Sequence, residues 1–113
     1  MHISERTVGA VRVLDLSGQL TLGAAGSELL ADKVRSVLQQ GEKRLLVNLK
    51  DVSYMDSAGL GELVQAYATT TRQGGTLKLV NTTSKLRDLL TITKLATVFE
   101  MHDTEAAAIA SFT

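Results

Sequence analysis

Hydrophobic periodicity changes repeatedly along this chain, and each change marks a new element. Ile3–Thr7 is short and polar and reads as an edge strand. Val11–Ser17 is rich in branched aliphatic residues and bounded by Gly9 and Gly18, so it reads as a second strand, joined to the first by a turn at Val8–Ala10. Its apolar parity shifts between Val13 and Leu14, which signals burial on both faces or a bulge. Gly18–Gly26 is full of small residues and reads as a loop. Leu30, Val34, Val37 and Leu38 then follow the i, i+4, i+7, i+8 rule, with Asp32, Lys33, Arg35, Ser36 and Gln39 opposite them. That is an amphipathic helix, closed by Gly41 just past its end.

Leu45-Leu46-Val47-Asn48-Leu49 is a short apolar run of the kind found in a strand covered on both faces. Leu60, Leu63, Val64, Tyr67 and Ala68 give a second helical stripe, ending at Gly74-Gly75, with Thr69–Arg72 as its exposed end. Leu77, Leu79 and Val80 mark another strand, and Leu86, Leu89 and Leu90 a short helix. Lys85, Arg87 and Lys94 form a solvated face. Val98–His102 reads as the last strand. Asp103 is placed to cap a final helix, Glu105–Ser111, with Ala106, Ile109 and Ala110 facing inward. The order β-β-α-β-α-β-α-β-α predicts an α/β fold: a mostly parallel sheet of four to five strands with an N-terminal antiparallel pair and right-handed crossovers.

Composition narrows the picture. The 113 residues fit one domain, residues 1–113. The chain has no Cys, which removes a disulfide scaffold, a Cys-ligated zinc site and a thiol nucleophile. Twelve basic residues balance twelve acidic ones, so broad electrostatic binding to nucleic acid or an anionic membrane is not expected. No apolar run approaches the roughly 18–20 residues of a membrane span, and Met1–Arg6 lacks a signal peptide's apolar core. A cytoplasmic domain is the expectation.

In such sheets, sites lie where strands end and helices begin. The segment Lys50–Leu60 occupies that position. Asp56 or Ser57 is a natural N-cap for the helix that follows. Yet the helix opens Ala58-Gly59-Leu60-Gly61, and a helical glycine costs about 1 kcal/mol relative to alanine. Two glycines in one opening turn imply either close packing of the helix on its strand or close access by another molecule to the backbone and to Ser57. A serine here suits a charge switch. A phosphate adds about −1.5 to −2 charges. A helix N-terminus tolerates such an anion, whereas a partner packed over it must desolvate it beside Asp56. Met55 either packs beneath the helix or meets the partner, and packing is favoured.

Tyr54-Met55-Asp56-Ser57-Ala58-Gly59-Leu60-Gly61 resembles the signature of bacterial anti-sigma factor antagonists, whose STAS domain is shared with sulphate transporters. Three further stretches match in order: Leu14–Leu20, Leu45–Leu49 and Gly74–Leu79. The resemblance implies a single STAS domain that is not an enzyme, needs no cofactor or metal, and binds a serine-kinase anti-sigma factor when unphosphorylated, freeing the sigma factor for transcription. It implies phosphorylation of Ser57 by that kinase and reversal by a serine phosphatase. The partner surface it implies comprises Met55, Asp56, Ser57, Ala58, Gly59, Leu60 and Gly61. The chain departs from the family at Ala58, where a second hydroxyl residue is common, so Ser57 is the sole acceptor there. It departs again at Gln19 and Thr21, where many members are acidic.

Other chemistries fit less well. No Gly-x-Ser-x-Gly elbow surrounds Ser57, and the histidines, His2 and His102, are distant in sequence. His102-Asp103 with Glu100 or Glu105 is an acidic group that reads as solvated surface rather than a metal site. Gly59-Leu60-Gly61 lacks a full nucleotide-binding fingerprint, although some members of the family bind nucleotides. The competing role is a STAS scaffold, or a soluble regulatory subunit of a signalling complex or membrane transporter. Transporter-linked domains commonly lack a serine at this corner, and a scaffold subunit is expected to carry a further N-terminal domain. Both points favour the antagonist.

Overall fold

The computed structural model describes residues 2–20 and 30–112. Strands β1 (His2–Val8) and β2 (Val11–Leu20) form an antiparallel hairpin that turns at Gly9, with φ of 60°. Helix α1 (Leu30–Gln39) leads to β3 (Arg44–Met55), α2 (Ser57–Arg72) and β4 (Thr76–Val80). Helix α3 (Ser84–Ile92), the short β5 (Met101–His102) and α4 (Glu105–Ser111) complete the expected order. The five strands lie in the sheet in chain order, and β2 through β5 run parallel.

That strand order decides where the helices go. Each right-handed crossover steps the same way across the sheet, so α1, α2 and α3 fall on one face. There Leu14, Leu16, Leu45, Val47, Leu77 and Leu79 from the sheet meet Val34, Leu38, Leu63 and Leu90 from the helices. The opposite face carries Val11, Val13, Leu46 and Val80, covered by Ala108 of α4 with Ile109 and Phe112 against it. The parity shift at Val13/Leu14 is therefore burial on both faces: Val11 and Val13 point to α4, Leu14 and Leu16 to the three helices. The β2–β3 register also slips, between Asp15 and Ser17 and again between Gly18 and Gln19.

Several boundaries differ from the sequence-based expectation. Gly18–Leu20 extend β2 instead of opening a loop, and the rest of that expected loop lies outside the described residues. Strand β3 continues to Met55; beyond Asn48 it pairs with β2 but not with β4. The last strand contracts to Met101–His102, because Phe99 turns into the core and meets Tyr67 edge-on at 5.2 Å. Thr69 and Thr70 are buried rather than exposed, and the Thr70 hydroxyl is satisfied by donating to the Ala66 carbonyl at 2.8 Å. The cap of α4 is Thr104, which accepts from Ala107 N, while Asp103 pairs with Arg87. Ala108 and Ile109 face inward, whereas Ala106 and Ala110 are exposed. An alanine-rich helix carries little apolar contrast, so docking on the sheet sets its rotation.

Polar side chains fasten the α4 face. Arg6 bridges Asp15 of β2 (2.5 Å) and Glu105 of α4 (2.5 Å), and Asn48 donates to Asp15 at 2.8 Å. Lys78, buried on this face, donates to the Ser111 carbonyl at 2.9 Å, pairs with Glu100 at 2.8 Å and lies 4.6 Å from the Phe112 ring centre. Hydrogen bonds from Arg6, then from Asn48, hold the Asp15 carboxyl below the ordinary carboxylate range. The unfolded chain, with an Asp pKa of about 3.9, takes up that proton first as pH falls. The stabilisation from Asp15 is thus complete above about pH 5 and is lost as pH falls through the folded value. Lys78 similarly holds half-exposed Glu100 at about 2, an effect that solvent screens. Urea unfolding at pH 6 and pH 2.5 is expected to show a smaller acid-induced drop in midpoint for Asp15→Asn than for the wild type. Equal drops would show that the Arg6–Asp15 pair contributes nothing to acid sensitivity.

Candidate functional site at the start of helix α2

Strand β3 ends on Met55, which is buried in the main core as favoured from its position in sequence. The chain then stays extended for one residue. Asp56, at φ −102° and ψ −176°, is the N-cap, and its Oδ1 accepts from Gly59 N at 2.8 Å. Its carbonyl accepts the first helical bond, from Leu60 N at 2.9 Å. Ser57 is therefore not the cap. It is the first helical residue, it is exposed, and its hydroxyl has no hydrogen-bond partner among the described residues. Asp56 makes the capping bond, which leaves the Ser57 oxygen available for chemistry from outside.

The two glycines answer the two reasons separately. A Cβ on Gly59 would lie 1.7 Å from the Leu20 carbonyl oxygen and 2.6 Å from its carbon. Gly59 is thus the close-packing residue: α2 crosses the end of β2 with its backbone against the Leu20 peptide. Among the described residues, a Cβ on Gly61 would meet nothing within 4 Å. Packing against them does not require glycine there; it leaves a bare stretch of helix on the exposed side of the same turn. Ala58, half-buried, and Leu60, buried, complete the opening turn.

Two neighbouring features escape the sequence pattern. Glu62 occupies the buried stripe of α2 at 7% exposure, and its Oε1 accepts from Leu30 N, the first described residue of α1, at 2.7 Å. A glutamate beside Gly61 in an amphipathic helix gives no local sign of burial. The second feature is a groove of about 410 Å³ between the end of β3 and α3, lined by Tyr54, Met55, Lys85, Leu86, Leu89 and Ile92. Tyr54 and Ile92 are exposed large apolar side chains, 53% and 78% accessible. The only hint in sequence is Ile92, an apolar residue flanked by Thr91 and Thr93; Tyr54, beside Met55, gives none. A cavity of about 480 Å³ lies at the other end of α2, beside Tyr67, Thr71 and Phe99, away from Ser57.

The histidines do not join this corner. His2 contacts Ser4, and His102 pairs with Glu100 at 2.6 Å. Among the described residues, no three His, Asp or Glu side chains gather in a metal-binding group. No helix among them is long and apolar enough to cross a membrane.

The glycine geometry makes a paired prediction. Gly59→Ala forces a methyl into the Leu20 carbonyl and is expected to cost at least about 3 kcal/mol in urea unfolding. Gly61→Ala places the methyl in open space and is expected to stabilise the domain by about 0.4–1 kcal/mol. Equal effects at the two positions would contradict the packing.

Comparison with known proteins agrees with this fold. The STAS domain family matches residues 2–108. The anti-sigma-B factor antagonist of Bacillus subtilis is 36% identical over 88 residues, 78% of each chain. A crystal structure of an anti-sigma factor antagonist from Mycobacterium paratuberculosis matches with a TM-score of 0.82 at 21% identity, covering 97% of this chain and 92% of that one. The Bacillus cell fate determinant SpoIIAA matches in its unphosphorylated form (TM-score 0.72, 24% identity, covering 98% and 97% of the two chains). Its phosphorylated form matches equally (TM-score 0.73, 23% identity, covering 99% and 100%). With this five-stranded α/β sheet, a family match over residues 2–108 and a relative 36% identical across 78% of the chain, the chain belongs to the STAS domain family, among the anti-sigma factor antagonists.

Proposed function

We propose that this protein is an anti-sigma factor antagonist switched by phosphorylation of Ser57. Unphosphorylated, it binds a serine-kinase anti-sigma factor through the opening turn of α2, and that binding frees the sigma factor for transcription. The kinase supplies ATP and magnesium and transfers the γ-phosphoryl group to the Ser57 hydroxyl: the Oγ–P ester forms as the β–γ anhydride breaks, ADP leaves and the hydroxyl proton is released. A serine phosphatase hydrolyses the ester and restores the binding form. The domain itself contributes the acceptor and the surface, and no catalysis. The reading places it in the cytoplasm with that machinery.

The observation that carries this reading is the division of labour between Asp56 and Ser57. Asp56 caps the helix, and the neighbouring hydroxyl is exposed and unengaged. A phosphate on Ser57 sits at the positive end of α2, a favourable placement worth about 0.3–1 kcal/mol at an exposed site. The fold therefore has no reason to change. The equal likeness of this chain to both forms of SpoIIAA is in keeping with that. A partner packed on the same turn faces a different balance. It must bury about two negative charges beside the Asp56 carboxylate, and a buried charge without a partner costs about 3–5 kcal/mol. Met55, buried beneath the turn, supports the surface from below, while Gly61 permits close approach from outside. A regulatory subunit of a transporter would leave the free hydroxyl without a role.

Incubation with the serine-kinase anti-sigma factor of the same organism and magnesium-ATP is expected to add one phosphate, located by mass spectrometry at Ser57 and absent in Ser57→Ala. Phosphate at another residue, or none, counts against the switch. Ser57→Asp is expected to keep the wild-type melting temperature within a few degrees and to weaken anti-sigma binding by at least about tenfold. Gly61→Ala, although more stable, is expected to bind the same partner less tightly in titration calorimetry, since the added methyl stands on the contact turn.

A further inference from the structure

The buried stripe of α2 runs Gly59, Glu62, Leu63, Ala66 and Thr70, and Glu62 stands where an aliphatic side chain would pack. A carboxylate there is costly to bury, and apolar residues of similar volume often replace buried charges without loss of stability. What Glu62 does that leucine cannot is accept the N–H of Leu30, the first described residue of α1, at 2.7 Å. The Leu20 carbonyl rests on Gly59 one turn earlier along the same stripe. The first two turns of α2 thus hold the backbone of both Leu20, at the end of β2, and Leu30, at the start of α1. Ser57 begins those turns, about 7.5 Å along the helix axis from Glu62.

We propose that Glu62 is a positioning residue for the Ser57 switch. Through the Leu30 amide its carboxylate holds the start of α1 at a set distance from the acceptor turn, and that spacing determines how well the kinase docks. The role belongs to the hydrogen bond and its reach rather than to the negative charge, and it rests on the reading of Ser57 as the acceptor.

Phosphorylation kinetics with the purified serine-kinase anti-sigma factor and magnesium-ATP test this, alongside thermal unfolding and hydrogen exchange at the Leu30 amide. Glu62→Gln keeps an acceptor oxygen at the same reach and is expected to leave KM within about twofold of wild type. Glu62→Leu removes the acceptor and is expected to raise KM about tenfold or more with kcat little changed, while Leu30 exchange accelerates. Should Glu62→Leu not fold, Glu62→Asp makes the same decision, because one methylene fewer takes the carboxylate out of reach. A wild-type KM in the Leu or Asp variant, or a Gln variant as impaired as Leu, overturns the positioning role while leaving the switch in place. No phosphate at Ser57 in the wild type overturns the switch, and the role of Glu62 with it.

Discussion

A single backbone contact organises this domain. The Leu20 carbonyl occupies the space where any side chain at position 59 would begin. Helix α2 can therefore approach the end of β2 only with glycine at that point, and the approach fixes the depth at which the helix sits on the sheet. Met55 and Leu60 are buried on either side of the contact, and Leu63 continues it into the core between α1 and the strands. With α2 held this low, its first turn sits at the corner between β3 and the helix layer. Asp56 spends its carboxylate on the helix end, and the next hydroxyl faces outward.

The remainder of the molecule supports that corner by two different means. On the α1–α3 face the cohesion is apolar, and each fully buried leucine or valine contributes about 1.5–3 kcal/mol. On the α4 face the apolar patch is small, and side-chain polar contacts close it: Arg6 with Asp15 and Glu105, and Lys78 with Ser111, Glu100 and the Phe112 ring. The acid-sensitive carboxylates Asp15 and Glu100 lie on this second face, whereas Glu5, also held below its ordinary range, pairs first with Lys33 of α1 on the other. Acid therefore weakens the attachment of both α4 and α1. The groove between Tyr54 and Ile92 adds exposed apolar surface at the same end of β3.

Much of the candidate site was legible in sequence because its signals are local. A cap residue, a serine, two helical glycines and an apolar strand just before them lie within a few residues of one another and carry physical meaning at that range. Which of Asp56 and Ser57 caps the helix was not legible, because either side chain could make the bond and packing decides where the helix starts. Thr69 and Thr70 misled for a related reason. A threonine whose hydroxyl bonds back to the preceding turn behaves as a buried apolar residue, as Thr70 does with Ala66. Val98–Glu100 has the composition of a strand, yet the Val98 and Phe99 amides bond back to the Leu95 carbonyl while the Phe99 ring packs on Tyr67.

The sequence by itself determined the order of elements, the two-sided burial of the central strands and the corner that bears Ser57, since hydrophobic period and capping chemistry are written over spans of a few residues. Only the tertiary structure decided which glycine is a packing requirement and which leaves an open surface, why a glutamate lies in a buried stripe, and how far each strand extends. Those outcomes depend on partners far apart in the chain, such as Glu62 and Leu30, 32 residues apart. Local pattern carries no record of such distances; the sheet and its helices bring the groups together.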